Sequence, residues 1–378
     1  MGLIHPVDLE GWQRWQGSRG PARQRVRRLA HRIRPDVSAG LQVLRGSPDA
    51  DLVVALDATH ASVRAALVDP LSHLPLERVL VLAAPGAEVI LPSHPWSVEE
   101  VRPGEVTAAV RGASAVMGSG HYTTVGALAY AAARHHGVRF GVVQHGLLTP
   151  WAPPLPSGSQ LLAWSAADAD FWMAGRHDVT GSVVGSALLS RAAARGPVVA
   201  AQPGVSYLAR HRADGPADQR AGSTSAGSHR VVDTLGAPVY LGQLHGAELP
   251  RKAMARAAEE FCRTHCAVYR PHPSEVDRAS VRQHEQWARQ GIEIELEHDD
   301  LLARTRPVVS IFSTGVLEAA AAGIPAWVDF PHPPAWLREL WRRYGMSRYG
   351  DAPTPAPRNH PDPAAAAAAW LAGIPDPA

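Results

Sequence analysis

The sequence predicts an α/β protein with two doubly wound halves, each a mostly parallel sheet covered by helices on both faces. Short apolar runs alternate with helical patterns over residues 51–184 and again over residues 238–330, which is typical of strand–helix–strand units. Between them, over about 190–237, the periodicity fails, and the polar segment 213–229 indicates a loop or part of an interdomain connection. Because ligands of open α/β sheets bind outside the carboxyl ends of the strands, we expect a cleft between the halves.

The composition is that of a soluble globular protein with about two or three domains. The chain has 378 residues, of which 46% are hydrophobic and 19% are charged, and its net charge is +2. Lys252 is the single lysine, so the many arginines reflect a general bias and give no reason to expect nucleic acid as a partner. Cys262 and Cys266 are the two cysteines, which excludes a disulfide framework and favours a reducing compartment.

The first 50 residues stand apart in charge. They hold nine Arg and four acidic residues, a net charge of +5, which leaves −3 for the remainder. Apolar residues at helical spacing within 19–34 predict an amphipathic helix that either docks on its own protein or contacts an anionic membrane surface. We find no apolar run near the ~18 residues of a membrane span and no signal peptide. We therefore expect a cytoplasmic protein, with peripheral contact at the inner face of the membrane as the alternative.

These features divide the chain into five segments. We expect a basic N-terminal helical segment (1–50), a first domain (51–190), a linker or mobile loop (191–236), a second domain (237–350) and a Pro- and Ala-rich tail (351–378). The tail ends in a predicted closing helix.

The elements of each half are predicted from apolar runs, which mark buried strands, and from segments with helical periodicity. In the first half the predicted strands are 51–56, 78–83, 88–91, 113–117, 139–144, 161–164 and 182–184, and the predicted helices are 61–68, 123–136 and 166–174. In the second half the predicted strands are 238–241, 267–269, 292–296, 308–312 and 326–330, and the predicted helices are 250–264, 275–289, 300–304 and 313–323. The closing helix spans 363–371.

The segment 306–330 carries a phosphate-binding pattern. A buried strand runs into Ser313, Thr314 and Gly315, which open an alanine-rich helix. The first N–H groups of a helix have no partner within it and carry its positive dipole end, so hydroxyls and glycine at this turn predict a phosphate site. Glu318, about one turn into the helix, could accept hydrogen bonds from a ribose. The alternative is an ordinary crossover with a hydroxyl N-cap.

Histidines follow strands in both halves. Arg270 and His272 lie in the sequence Arg-Pro-His-Pro-Ser-Glu that ends at Glu275, after a predicted strand of the second half. His145, in Gln-His-Gly, follows a strand of the first half. His121, a candidate contact to a substrate, follows another strand after Gly-Ser-Gly. A histidine at such an edge can take a proton from a hydroxyl near neutral pH. The alternative is a histidine hydrogen-bonded within a loop.

Several weaker patterns occur in the sequence. Gln243, in Gly-Gln-Leu-His-Gly after the first strand of the second half, is a candidate contact to a substrate, as is Glu275. Two Asp-Ala-Asp tripeptides, at 49–51 and 168–170, match a metal-binding pattern but lie before a strand and within a helix, so we interpret them as chance. The cluster 262–266 offers three metal ligands without a fourth, which favours ordinary core and surface residues. Neither a Walker-type loop nor a dinucleotide fingerprint occurs.

Three of these signatures together resemble those of GT-B glycosyltransferases of surface-polymer synthesis. They are 144–146 (Gln-His-Gly), 270–273 (Arg-Pro-His-Pro) and 313–315 (Ser-Thr-Gly) with Glu318. The similar groups are the CDP-glycerol glycerophosphotransferases of teichoic acid synthesis, the capsular Kdo transferases and bacterial sialyltransferase-like enzymes. The resemblance covers about residues 110–330. It implies a GT-B-like arrangement of two Rossmann-like domains facing across a cleft, the first for the acceptor and the second for the nucleotide donor.

The resemblance also implies a mechanism. The functional histidines of the glycerophosphotransferases correspond to His145 and His272, and their phosphate-binding hydroxyls to Ser313 and Thr314. His145 would remove the proton of an acceptor hydroxyl, while the second domain, with Arg270, would hold the departing phosphate. A CMP-, CDP- or UDP-linked donor and a glycan or lipid-linked acceptor are the expected partners, with no metal and no cofactor.

Two other functions stay open. A non-hydrolysing UDP-N-acetylglucosamine 2-epimerase shares the GT-B fold and a similar length, and the segment 118–146 vaguely resembles its first half. Its Gly-Thr-Arg-Pro-Glu-like loop is absent, however, and the carboxylates that it needs in the N-terminal half are not evident in this sequence. The third function is that of a non-catalytic nucleotide-binding component of an envelope assembly complex.

Overall fold

A computed structural model describes residues 2–19, 40–195, 236–296, 301–304 and 306–374. Contacts divide the chain into two compact units. Unit 1 comprises Met1–Ser190 and Asn359–Ala378, and unit 2 comprises Arg191–Arg358. The predicted basic helix within 19–34 and most of the predicted linker lie outside the described residues.

Unit 1 is built on an eight-stranded sheet with the order β4-β1-β3-β2-β5-β6-β7-β8. The first strand pairs antiparallel with β3 and β4, and the other neighbours pair parallel. The strands are β1 (Leu41–Arg45), β2 (Leu52–Leu56), β3 (Val79–Ala83), β4 (Ser97–Val101), β5 (Ala115–Gly118), β6 (Arg139–Val143), β7 (Gln160–Ala163) and β8 (Thr180–Val183).

The helices of unit 1 begin and end at identifiable signals. The longest, Thr124–His136, begins where Thr123 accepts a hydrogen bond from the Gly126 N–H and ends at Gly137, whose φ of 67° suits glycine. The helices are α1 (Leu9–Arg19), α2 (Ala61–Val63, continued by a π turn and a 3-10 turn to His73), α3 (Val106–Ala109), α4 (Thr124–His136), α5 (Ala166–Trp172) and α6 (Ala187–Ala194).

The sheet of unit 1 is buried on both faces. Val53 and Ala55 of β2 belong to one hydrophobic cluster, whereas Leu52, Val54 and Leu56 of the same strand belong to another. Successive side chains of a strand point to opposite faces, so a strand that is apolar throughout must be covered on both sides. This is the layering that the apolar runs predicted.

Unit 2 contains a four-stranded parallel sheet with the order β10-β9-β11-β12. Its strands are β9 (Val239–Leu241), β10 (Val268–Arg270), β11 (Val308–Ser310) and β12 (Ala326–Val328). Its helices are α7 (Arg251–His265), α8 (Arg278–Arg289), α9 (Thr314–Ala321) and α10 (Ala335–Arg343), and α11 (Pro363–Ala372) returns to unit 1.

Both sheets reverse their strand order at an equivalent place. In unit 1 the first parallel strand, β2, lies between β3 and β5, and in unit 2 the first strand, β9, lies between β10 and β11. Crossovers leave to opposite sides at such a point, so a crevice opens at the carboxyl ends of the two central strands. The candidate site in each unit is therefore expected beside β2 and β5, and beside β9 and β11.

The predicted α/β class with two doubly wound sheets is confirmed, while several elements differ. The strand predicted at 88–91 is wrong, because Ala87–Ile90 forms a 3-10 turn after Gly86. Strands β1 and β4 were missed. In β4 the first four of its five residues are exposed, so it lacks a buried apolar run. The strand predicted at 292–296 is reduced to a single bridge between Ile294 and Tyr269.

The C-terminal end of the chain packs on unit 1. Residues 359–378, which belong to the predicted tail, group with unit 1. Leu371 of α11 is fully buried in the core of that unit. Within the described residues, no helix is long and apolar enough to cross a membrane.

Candidate functional site

Asp57 lies at the strand-order reversal of unit 1. It follows β2 directly, and its carboxylate accepts hydrogen bonds from Ser119 Oγ at 2.8 Å, from Thr123 Oγ1 and from the Gly126 N–H at 3.0 Å. Ser119 follows β5, and Thr123 and Gly126 belong to the start of α4. A single carboxylate therefore connects the ends of the two central strands with the start of the helix that follows β5.

This carboxylate occupies the place where a phosphate binds in many doubly wound sheets. Burial raises the pKa of Asp57, although the hydroxyls of Thr123 and Ser119 and the amide of Gly126 act in the opposite direction. An added Cβ on Gly126 would lie 1.9 Å from the Gly120 carbonyl oxygen, so the turn requires glycine there. The carboxylate of Asp57 thus already occupies the positive end of the α4 dipole.

His145 lies two residues beyond β6, beside Tyr122 and His60. Its Nε2 is 3.5 Å from the Tyr122 hydroxyl, and its ring centroid is 6.4 Å from that of His60. Burial lowers the pKa of His145 to about 4, a backbone interaction with Val143 opposes the shift, and the His60 ring adds to it. The imidazole is therefore neutral at pH 7 and can accept a proton, but it is a weak base unless an anion binds nearby.

A cavity opens beside His145. Small and apolar side chains dominate its lining, with Ser62, Gln144 and Ser186 among the polar groups. Ser186 precedes α6 and is fixed by Asn359, whose Oδ1 accepts from the Ser186 N–H and whose Nδ2 donates to the Ser186 carbonyl, each at 2.8 Å. The returning end of the chain thus holds one wall of this cavity.

The structure separates the two predicted histidines of unit 1 by their contacts. His121 packs edge-on against Tyr130 with ring centroids 5.4 Å apart, whereas His145 contacts Tyr122. Burial lowers the pKa of His121, and the positive charge of Arg176 lowers it further. His121 is therefore neutral as well, but its substrate contact stays a prediction.

Gln243 lies at the strand-order reversal of unit 2. Its Oε1 accepts from the Phe312 N–H at 2.9 Å and from Ser310 Oγ at 3.4 Å, so the loop after β9 is joined to the end of β11. Gln243 is buried. Because its carbonyl oxygen is engaged, a contact to a substrate would use the amide nitrogen.

The predicted His272 is stacked on a second histidine, His245. Their ring centroids are 3.8 Å apart and the planes differ by 20°. His245 follows β9 and His272 follows β10, so neighbouring strands bring the rings together. Beneath them lies Glu275, with its Oε1 3.8 Å from His245 Nδ1.

Glu275 is buried, with 3% of its surface exposed, and its oxygens are fully used inside the protein. They accept hydrogen bonds from the Leu244 N–H at 2.8 Å, the Tyr269 hydroxyl at 2.9 Å and His284 Nε2 at 3.0 Å. Burial alone would raise the pKa of Glu275, but the nearby His245 ring and the hydrogen bonds from His284, Tyr269 and Leu244 outweigh it and hold the pKa at about 2. Direct contact between Glu275 and a substrate is not favoured by this burial.

The predicted phosphate turn has the expected local geometry. Ser313 is the N-cap of α9, and its hydroxyl accepts from the Gly315 N–H at 3.1 Å. An added Cβ on Gly315 would lie 2.5 Å from Leu241 Cδ1 and 2.9 Å from Leu301 Cδ2, so the glycine allows the helix to pack closely on β9. Thr314 is the first residue of the helix, and Glu318 lies four residues further along it.

Arg270 is held by a carboxylate. Its Nη1 is 3.2 Å from Glu295 Oε1, and Arg306 Nη1 is 3.6 Å from the other oxygen of Glu295. Both members of the Arg270–Glu295 pair are largely buried. The role predicted for Arg270 in binding phosphate therefore requires that its guanidinium serve Glu295 and the phosphate together.

Sequence reasoning missed several residues of both units. Asp57, Tyr122 and His60 surround the edge of unit 1, and His245 and His284 surround Glu275 in unit 2. The signal for Asp57 was its position directly after a predicted strand. Within the described ranges, no group of three or more His, Cys, Asp or Glu side chains is arranged so that it could hold a metal ion.

Comparison with known proteins gives distant structural neighbours. No family model and no curated protein matches the chain. A putative UDP-N-acetylglucosamine 2-epimerase from Listeria monocytogenes matches with a TM-score of 0.47 and 15% identity over 86% of this chain and 96% of that one. A UDP-GlcNAc 2-epimerase from Methanocaldococcus jannaschii matches with a TM-score of 0.46 and 9% identity over 85% and 98%. S. aureus MnaA, solved with UDP, matches with a TM-score of 0.47 and 14% identity over 85% and 87%.

Proposed function

We propose that this chain is an enzyme that uses a nucleotide-activated donor and transfers its sugar or polyol phosphate to a hydroxyl acceptor. The observation that carries the proposal is the edge of unit 2, where the stacked His245 and His272 and the start of α9 adjoin the ends of neighbouring parallel strands. Open α/β sheets bind their ligands at this edge.

Unit 2 supplies the groups that suit a departing nucleotide phosphate. The start of α9 offers backbone N–H groups and the positive end of a helix dipole, and the hydroxyls of Ser313 and Thr314 lie at the same turn. Groups of this kind stabilise the negative charge that builds up on a leaving phosphate, and they need no reorientation if they are already fixed. The donor is therefore assigned to unit 2.

Unit 1 supplies the base and the acceptor side. His145 is neutral at pH 7 because its pKa is lowered to about 4, so Nε2 can accept the proton of an acceptor hydroxyl. Asp57 already places a carboxylate at the start of α4. A second phosphate is therefore disfavoured in unit 1, which suits a neutral hydroxyl acceptor.

Asp57 also supports a second candidate function, a UDP-N-acetylglucosamine 2-epimerase-like enzyme. That activity requires carboxylates in the first half of the chain, and Asp57 is one, at the strand-order reversal of unit 1. Burial raises the pKa of Asp57, which is the direction that favours proton exchange nearer to neutral pH. Under this alternative no acceptor is needed.

One experiment separates the two functions. The protein is incubated with UDP-, CDP- and CMP-activated donors, each with and without a glycan or polyol acceptor, and the products are followed by mass spectrometry and NMR. A transferase releases nucleotide only when the acceptor is present, and the acceptor gains the mass of the transferred group. Epimer formation without acceptor supports the second function. No product and no nucleotide binding would contradict both.

A further inference from the structure

Unit 2 contains a buried carboxylate that the proposed chemistry does not use directly. Glu275 combines a buried position with three hydrogen-bond donors and a nearby imidazole. A buried ionised group is costly unless it is paired and hydrogen-bonded. Two side chains, Tyr269 and His284, and one backbone amide therefore stabilise the charged form of Glu275, next to the ring of His245.

The loop after β9 is shaped around that carboxylate. An added Cβ on Gly242 would lie 2.4 Å from the Tyr269 hydroxyl oxygen and 2.7 Å from Glu275 Oε1, so only glycine lets the backbone pass so close. On the far side, Arg251 Nη1 donates to the Leu244 carbonyl at 2.6 Å. The loop that carries His245 is thus fixed from both ends.

The two stacked rings have different hydrogen-bonding states. A neutral imidazole has one N–H donor and one acceptor nitrogen. The Ser274 N–H donates to His272 Nδ1 at 3.1 Å, so the ring proton of neutral His272 lies on Nε2. His245 instead presents Nδ1 to the carboxylate of Glu275, which favours a proton on that nitrogen.

We propose that Glu275 is a positioning residue for an anion-binding pair formed by His245 and His272, and that the anion is a phosphate group of the donor. This inference rests on the proposed function. Glu275 Oε1 faces His245 Nδ1 and orients that ring, and His272 stacks on it. His245 and His272 lie at the surface, and 30% of the His245 side chain is exposed, so a ligand can reach them.

The alternative is that Glu275 only stabilises the fold. Tyr269→Phe is the matched control, because it removes a hydrogen bond to Oε2 and leaves Oε1, the oxygen nearest His245, untouched. Both Glu275→Gln and Tyr269→Phe take one interaction from the same buried network, but only the first changes the group that faces His245.

The test is ¹⁵N NMR of the histidine rings, combined with titration of UDP, CDP and pyrophosphate by calorimetry. In the wild-type protein we expect a protonated Nδ1 on His245 and the Nε2–H form of neutral His272. Glu275→Gln removes the negative charge that faces His245 Nδ1, so it should abolish the preference of His245 and weaken binding roughly tenfold, the size of one charged hydrogen bond between a ring and the phosphate. Tyr269→Phe should keep the ring states and the affinity, with a lower melting temperature.

Two results would overturn the inference. One is a His245 ring whose Nδ1 is unprotonated in the wild-type protein, which requires no variant to fold. The other is equal weakening of binding by Glu275→Gln and Tyr269→Phe. If the wild-type protein binds none of the three compounds, the proposed function fails, while the NMR result still decides whether Glu275 sets the ring state of His245.

Discussion

At the scale of single residues, the candidate site depends on side chains whose charge is set by their surroundings. His145 is kept neutral by burial, and Glu275 is kept ionised by its donors. The sequence predicted the strand-end histidines His145 and His272, because a residue's place after a buried strand can be read from apolar periodicity. It did not predict the pairing of His272 with His245, since that contact joins loops of two strands that only the folded sheet brings side by side.

The proposed role of His145 as a base predicts a rate effect. His145→Gln should lower the transfer rate by about 10²–10⁴-fold, because no side chain remains to take the acceptor proton. Nucleotide affinity should be unchanged, since the donor is assigned to unit 2. Steady-state kinetics and calorimetry measure the two quantities. His135→Gln, at an exposed position in the last turn of α4, is the control. An unchanged rate in His145→Gln would argue against the base.

Burial of His145 predicts an effect of acid on stability. The folded-state pKa of about 4 lies below the ordinary value of 6.5, so between these values the unfolded chain binds the proton and the folded protein does not. The free energy of unfolding should therefore fall as pH is lowered from 6.5 to 4, by up to about 1.4 kcal/mol per pH unit. Urea unfolding across this range measures it.

His145→Gln should reduce the dependence of the free energy of unfolding on pH between 6.5 and 4. Glu275 affects the free energy of unfolding at lower pH, because its pKa is depressed from 4.5 to about 2. Its contribution is present above pH 4.5 and is lost as pH falls toward 2. A profile between pH 6.5 and 4 that is the same in wild type and His145→Gln would contradict the burial argument.

At the scale of elements, the two strand–turn–helix segments at the strand-order reversals differ in the group that binds the start of the helix. The turn before α4 is filled by the carboxylate of Asp57, whereas Ser313 caps α9. The sequence predicted α4 and α9 well, because Thr123, Gly137 and Ser313 are ordinary helix boundary residues. It missed β4, because an exposed antiparallel edge strand leaves little apolar pattern. It also missed β1, which lies between β3 and β4 and is largely buried.

Close packing of α9 on β9 predicts that Gly315 cannot be replaced. Gly315→Ala should destabilise unit 2 by about 1–3 kcal/mol, because its Cβ would overlap Leu241 and Leu301. Chemical denaturation measures the loss. Gly104→Ala is the control, since a Cβ there meets nothing within 4 Å. Equal stability of Gly315→Ala and wild type would show that α9 is free to shift.

At the scale of the whole molecule, the chain leaves unit 1 after Ser190 and returns at Asn359. The return is anchored by the Asn359 amide on Ser186 and by α11, whose Leu371 carbonyl accepts from Arg139 Nη2 at 2.9 Å. The closing helix itself was predictable from its alanines and from Pro363. Its attachment to unit 1 was not, because sequence patterns do not say which core a helix joins. The GT-B-like arrangement of the two units stays a prediction.

The return of α11 predicts where a distant substitution acts. Leu371→Ala should destabilise unit 1 by about 2–5 kcal/mol, because Leu371 is fully buried. Hydrogen exchange should then speed up in β2 and β5 while β9 and β11 keep their protection. Ile374→Ala, at an exposed position, is the control. Faster exchange confined to unit 2 would contradict the assignment of α11.

The most direct test of the central claim is a thermal titration of wild type, His272→Ala and His145→Gln with UDP, CDP and CMP. We predict that at least one nucleotide stabilises the wild-type protein, by about 2.7 kcal/mol at 100 times its Kd. The stabilisation should be lost in His272→Ala and kept in His145→Gln. Failure of all three nucleotides to stabilise the wild type, or equal losses in both variants, would contradict a nucleotide site on unit 2.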